Sequence, residues 1–435
     1  MLRAALAFAA LSLVVCLAAC RVKAPVPDAH AVTAEGSLSN RFVAADKATS
    51  VAARLVVQAR VLERSGRPPV NLALVVDTSG SMEGRAIEDA RAASKALLGA
   101  LTPNDRIAVV SFGSTTDVIL PSTRLGDADL PKLRARIDAM KAVGTTDMSG
   151  GLRAGVGQVA EHLEQEGVNR VILLGDGNPN DEAPVKGIAA DAGSRGISIT
   201  VLGLGPDYNE TLMGAVAQVT GGTFHYVGDS TKLAAFFGEE VVRLNRVYAK
   251  NAVVQLVPGP GVHVSKIVGQ GGASGLTIPI GDITLGETRE IVARLEAPPH
   301  RDGAAVELLD AVLRFDDVAS GTTVEQRVFF GAHATASSDV LKSGHDDAVE
   351  HAVNKAEAAA KTLEAIDAAR RGDVGKAQQR VKDAKASGYK LDDELVDALP
   401  SVAPAAAQPN PEQQLRGNEV VRKAHDDAMK VLQSH

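Results

Sequence analysis

The hexapeptide Asp77-Thr78-Ser79-Gly80-Ser81-Met82 follows the apolar run Val70-Asn71-Leu72-Ala73-Leu74-Val75-Val76. A carboxylate and two hydroxyls, spaced two residues apart, therefore stand where a buried strand should surface. Such oxygens suit a hard divalent cation, Mg²⁺ above all when protein ligands are few and water completes an octahedron. The same six residues also read as a plain polar turn closing a strand.

The pattern Asp77-x-Ser79-x-Ser81 resembles the metal-ion-dependent adhesion site of von Willebrand factor type A (VWA) domains. In that family a second loop contributes a threonine and a third an aspartate. Here Gly144-Thr145-Thr146-Asp147-Met148 precedes a helical stretch. Thr146 matches the loop threonine, with Thr145 where the family usually has glycine. The stretch Asn169-Arg170-Val171-Ile172-Leu173-Leu174-Gly175-Asp176-Gly177 reads as an apolar strand ending in Asp-Gly, and Asp176 matches the third-loop aspartate. Gly175 stands where family strands often carry threonine, which removes one hydroxyl.

The resemblance thus implies a metal set of Asp77, Ser79, Ser81, Thr146 and Asp176, binding directly or through water. Mostly neutral ligands leave the cation positively charged with an exchangeable position, which in the family an acidic side chain of a protein partner fills. Mg²⁺ is the expected ion, with Mn²⁺ and Ca²⁺ as alternatives. Asp147 and Ser149 read as N-caps of the following helix rather than ligands.

Enzymatic readings find little support, and no catalytic residue is assigned. A phosphotransferase on such a sheet would want a second acid two residues after Asp77, where Ser79 stands. A Gly-x-Ser-x-Gly elbow, a Walker A loop and a His-Glu-x-x-His motif are all missing from the sequence. The ten histidines are scattered, and His225, between Phe224 and Tyr226, reads as a packing or surface residue. Weak metal-dependent hydrolysis is the remaining enzymatic alternative. A non-enzymatic alternative is an assembly scaffold acting through its other domains, with the metal only stabilising the fold.

The elements that must position these residues follow from pattern. A chain of 435 residues exceeds one comfortable core, so two or three domains are expected. Its formal charge of −7, with no Lys/Arg-rich run, argues against nucleic acid as a partner. From 66 to 248 strands and helices alternate, which predicts a doubly wound, mainly parallel α/β sheet with its sites at strand carboxyl ends. From 249 to 335 short strands with Gly/Pro turns predict a β-sandwich. An alternating strand within 41–65 is too short to stand alone and is expected to complete that sandwich, making the α/β domain an insertion. Residues 336–399 read as a helical hairpin, with Arg371-Gly372-Asp373 as its bend rather than an integrin ligand. Residues 400–435 read as a Pro/Ala linker and a polar, marginally stable helix.

Residues 1–19 have the architecture of an export signal. Leu17-Ala18-Ala19-Cys20 is similar to a bacterial lipobox, which implies acylation of Cys20. Residues 20–40 then read as a tether from a membrane-anchored cysteine. The expected location is the cell envelope. Arg21 rather than Asp after the cysteine points to an outer membrane, facing the periplasm or the cell surface. Domain order and the phrase Ile280-Gly281-Asp282-Ile283-Thr284-Leu285-Gly286-Glu287 are similar to bacterial VWA lipoproteins often labelled calcium-activated chloride channel homologues. That label implies no pore here, because no apolar run beyond the signal approaches the roughly 20 residues of a spanning helix.

Overall fold

Three strands open the described chain: β1 (Val32–Leu38), β2 (Phe42–Ala44) and β3 (Thr49–Ala59). The computed structural model describes residues 31–61, 67–175, 182–204, 209–269, 275–386, 391–404 and 411–433. β1 corrects the tether reading of 20–40 over its last third, since Val32–Leu38 pairs antiparallel with β3 along its whole length. The residues Val-Thr-Ala-Glu-Gly-Ser-Leu alternate too weakly to announce a strand. Gly36 at its centre is needed for packing: a Cβ there would lie 2.6 Å from the Phe330 ring and the Val328 side chain.

The α/β unit follows as β4 (Val70–Asp77), α1 (Arg85–Ala100), β5 (Arg106–Phe112), β6 (Thr116–Arg124), α2 (Leu130–Asp138), α3 (Met148–Ala160), β7 (Val168–Gly175), α4 (Glu182–Ser194), β8 (Ser198–Leu204), α5 (Glu210–Val219), β9 (Phe224–Val227) and α6 (Leu233–Leu244). The six strands are ordered β6-β5-β4-β7-β8-β9. All pairs are parallel except β5–β6. Every residue of β4, β7 and β8 is buried, as strands covered on both faces must be. Pattern reading missed β6, whose Pro121 is tolerated because the strand lies at the sheet edge. From β4 the chain goes first to β5 on one side and later to β7 on the other. β4 is thus the switch point of the sheet, where a crevice opens beyond the strand ends.

The chain then returns to the sandwich through β10 (Val247–Pro258), β11 (His263–Ile267), β12 (Thr277–Thr284), β13 (Thr288–Ala297), β14 (Ala305–Asp317) and β15 (Thr322–Thr335). One sheet is β1-β3-β13-β11 and the other β12-β10-β14-β15-β2. Their inner faces meet in one core that includes Val51, Leu55, Val254, Leu313, Phe315 and Phe330. The α/β unit is therefore an insertion between β3, in one sheet, and β10, in the other.

Buried charge joins the two units. Arg170 of β7 donates to Asp282 of β12 at 2.8 Å and to Thr200 Oγ1 of β8 at 3.1 Å. Thr200 donates in turn to Glu240 of α6 at 3.0 Å, and Arg243 pairs with Glu240 at 2.9 Å. Burial opposes the Glu240 charge, but Arg243, its hydrogen bonds and the charge of Arg170 outweigh it and hold the carboxyl at about 2. Next to Asp282, Gly281 meets Gly221 so closely that a Cβ would fall 1.9 Å from the Gly221 carbonyl oxygen. Glu287 closes the turn by accepting from the Thr284 N–H at 2.9 Å and its hydroxyl at 2.8 Å. Much of the phrase 280–287 is thus an interface between the units.

The remaining helices are α7 (Ser338–Ser343), α8 (Asp347–Arg370), α9 (Val374–Ala386), α10 (Leu395–Ala398) and α11 (Pro411–Gln433). α8 and α9 pack as a hairpin, and Asp373 caps α9 by accepting from the Lys376 N–H at 3.2 Å. The linker and marginal-helix readings of 400–435 are corrected. Leu399–Val402 is a 3₁₀ turn with Leu399 fully buried, while 405–410 lies outside the described residues. α11 is packed: Val421, Ala428 and Met429 are buried, and so are Arg422, His425 and Asp426. Those buried polar residues interrupt the apolar stripe and disguise it. Asp426 accepts from the Tyr226 N–H at 3.3 Å, so α11 covers the β9 edge of the α/β sheet. The tail also reaches both other units through Arg294–Glu357 at 2.5 Å and Arg370–Glu210. Among the described residues no helix is long and apolar enough to cross a membrane.

Candidate metal site

Asp77 ends β4 fully buried between β5 and β7. Its Oδ1 accepts from the Ser79 N–H at 2.7 Å, an Asx turn that bends the chain outward. The turn brings Ser79 Oγ to 3.0 Å from Ser81 Oγ. Ser79 is 2 % exposed, whereas Ser81 faces solvent. Asp77, Ser79 and Ser81 therefore run from buried to exposed along the turn.

Two neighbouring loops are fastened to this turn. The Thr78 N–H and hydroxyl both donate to the Phe112 carbonyl at the end of β5, at 2.7 and 3.0 Å. The Gly80 N–H donates to the Gly144 carbonyl at 3.0 Å, and the Val143 N–H to the Thr78 carbonyl at 2.8 Å. Thr146, 8 % exposed, sits two residues beyond Gly144 in this second loop. Asp147 caps α3, its Oδ1 accepting from the Gly150 N–H at 2.9 Å and from the Ser149 hydroxyl at 3.0 Å. Asp147 thus caps the helix, whereas Ser149 is not a cap: it lies in the first turn and donates its hydroxyl to Asp147.

On the β7 side, Gly175 lies against Asp77: a Cβ added there would stand 3.1 Å from Asp77 Oδ2. The glycine makes room for the carboxylate where family strands often have a larger residue. The third-loop Asp176 follows Gly175 directly but lies outside the described residues, as does Cys20.

The donors that the turn brings together are the Asp77 carboxylate and the Ser79 and Ser81 hydroxyls, all hard oxygens, and they fit a Mg²⁺-like ion. Among the described residues no group of three His, Cys, Asp or Glu could hold a metal elsewhere. Sequence reasoning passed over the outer rim of the second loop, where Val143 is 69 % exposed and Thr145 is exposed beside Ser114. The only sign of it was Thr145 standing in place of the family glycine.

His225 lies away from this turn, its ring edge-on to Phe236 at 4.8 Å. Burial, aided by Arg243 and Lys430 against Glu240 and Asp426, lowers its pKa to about 4. It packs rather than catalyses.

Known proteins show the same architecture. Residues 71–239 match the model of the von Willebrand factor type A domain. An uncharacterized protein of Synechocystis sp. is 26 % identical over 287 residues, which is 62 % of this chain and 67 % of that one. Human inter-alpha-trypsin inhibitor heavy chain H4 is 28 % identical over 206 residues, 43 % of this chain but only 22 % of that one. Among solved structures, a von Willebrand factor type A protein from Catenulispora acidiphila superposes with a TM-score of 0.69 at 19 % identity, covering 91 % of this chain and 97 % of that one. The ArnB paralog VWA2 from Sulfolobus acidocaldarius does so with a TM-score of 0.60 at 17 % identity, covering 91 % and 98 %. At such coverage the likeness in fold extends beyond the α/β unit. Residues 71–239 of this chain are a von Willebrand factor type A domain.

Proposed function

We propose that this chain binds a protein partner through a divalent cation, Mg²⁺ first among the candidates, held by Asp77, Ser79, Ser81, Thr146 and Asp176. One observation carries the reading: the Asp77–Ser81 turn is hydrogen-bonded directly to the loop that carries Thr146. A bound cation would supply a positive charge that an acidic side chain of the partner can satisfy. Asp77, anchored by the Ser79 N–H, offers the buried negative charge. Ser79 and Ser81 offer neutral oxygens toward the mouth, so the ion's charge is not fully neutralised from below. The turn and both loops are tied backbone to backbone, which keeps the donors in place before a partner arrives.

The proposal includes the envelope location and a lipid on Cys20. Radiolabelled palmitate should enter the wild-type chain and not Cys20→Ser. Deleting Ser338–His435 does not separate this reading from an assembly scaffold acting through its other domains. α8 and α11 are part of the core, so the truncation would damage the fold itself.

The first test is metal binding followed by capture of envelope proteins. Calorimetric titration with Mn²⁺ should show one site in the wild type and none in Asp77→Ala. A partner should be retained with Mg²⁺ and lost with EDTA. Equal Mn²⁺ binding by both proteins, or retention indifferent to EDTA, would end the proposal.

A further inference from the structure

We propose that the rim of this site selects an acidic side chain with an apolar neighbour within two residues, and that Thr145 and Val143 are its specificity-determining residues. The inference rests on the metal-site reading and adds the kind of partner segment the site takes.

Val143 is 69 % exposed, yet its peptide groups are fixed. Its N–H donates to the Thr78 carbonyl at 2.8 Å, and its own carbonyl oxygen packs 3.0 Å from where a Cβ of Gly113 would stand. An isopropyl group is therefore held in water on a backbone strapped to the metal turn. A fixed apolar group loses little freedom on being covered, which makes it a favourable contact for an incoming side chain.

Thr145 supplies a polar counterpart. Its N–H donates to Ser114 Oγ at 2.9 Å, and Ser114 Oγ lies 3.3 Å from Thr145 Oγ1. Either hydroxyl can donate in that pair, since Ser114 Oγ keeps a second lone pair after accepting from the N–H. When Ser114 donates within the pair, the Thr145 O–H is available to donate outward. Thr146, the next residue, is buried while Thr145 is exposed, so the loop turns one hydroxyl inward and the other toward a partner. A carboxylate at the site has a second oxygen to satisfy, and Thr145 offers it a donor. A family-like glycine at 145 would not.

The experiment uses the full chain with Mn²⁺ and two fluorescent peptides, Gly-Gly-Asp-Gly-Leu-Gly-Gly and Gly-Gly-Asp-Gly-Ser-Gly-Gly, read by anisotropy. The wild type should favour the leucine peptide by about tenfold, the scale of one covered apolar group. Val143→Ser should erase that preference and leave the serine peptide unchanged. Thr145→Gly should weaken both peptides by about tenfold. Calorimetric Mn²⁺ binding and the melting temperature should be the same in all three proteins. If Mn²⁺ binds but neither peptide does, or if Val143→Ser keeps the preference, the rim inference is wrong while the metal reading stands. If the wild type binds no Mn²⁺, the underlying reading fails and the inference with it.

Discussion

Ser79 and Ser81 are chemically alike and two residues apart, yet their surroundings give them different duties. Ser79 is buried, and its N–H fixes the Asp77 carboxylate. Ser81 is exposed and contributes chiefly its hydroxyl. Ser81→Ala should therefore leave the melting temperature within about 1 °C while lowering Mn²⁺ affinity by roughly tenfold, as an exposed substitution outside the core allows. A matching fall in both quantities would show that Ser81 holds the turn together instead. The Asp77–Ser81 cluster was legible in the sequence because residue type and spacing already carry the chemistry. Thr146 was legible only by resemblance, since backbone hydrogen bonds between distant loops bring it near. The exposure of Val143 was not legible, because it depends on which way one loop residue points.

Elements covered on both faces mostly declared themselves: β4 and β8 are largely apolar runs, and α1 and α6 have clear apolar stripes. Those carrying buried polar residues did not. α11 looked polar because Arg422, His425 and Asp426 are paired or packed inside rather than solvated. β7 likewise hides a charge, the 2 % exposed side chain of Arg170, which was absorbed into an apolar reading of the strand. Removing a carboxylate from such a buried pair leaves its partner uncompensated. Asp282→Ala should accordingly cost about 3–5 kcal/mol in denaturant unfolding, whereas a double change of Arg170 and Asp282 to apolar residues should cost much less. Near-equal losses would mean that Thr200 and Glu240 alone satisfy the guanidinium.

For the whole molecule, proton linkage ties stability to acidity through two imidazoles, that of His425 buried and that of His225 half-buried. His225 and His425 are both lowered from 6.5 to about 4, burial being the main cause in each. Between those values the unfolded chain takes up protons that the folded chain refuses. Their contribution is thus complete above pH 6.5 and is lost as the pH falls to about 4, on the order of 1–3 kcal/mol for each group. Glu240 extends the same slope lower, its share present above 4.5 and disappearing as the pH falls toward 2. The melting temperature should decline across this range, and His425→Phe should flatten the upper part. A melting temperature level from pH 7 to 4 would show that neither ring is held below its ordinary value in the folded chain.

Insertion also has a mechanical side. A pull on the metal edge of the α/β unit leaves it along the two connections to β3 and β10, and these strands lie in different sheets. β3 shares ten paired positions with β13, and β10 shares eight with β14. Tension drawn lengthwise along such strands loads their hydrogen bonds together, in shear, instead of opening them one after another. Two parallel anchorages, each in its own sheet, would let this fold hold its grip under traction while the contact with a partner gives way first.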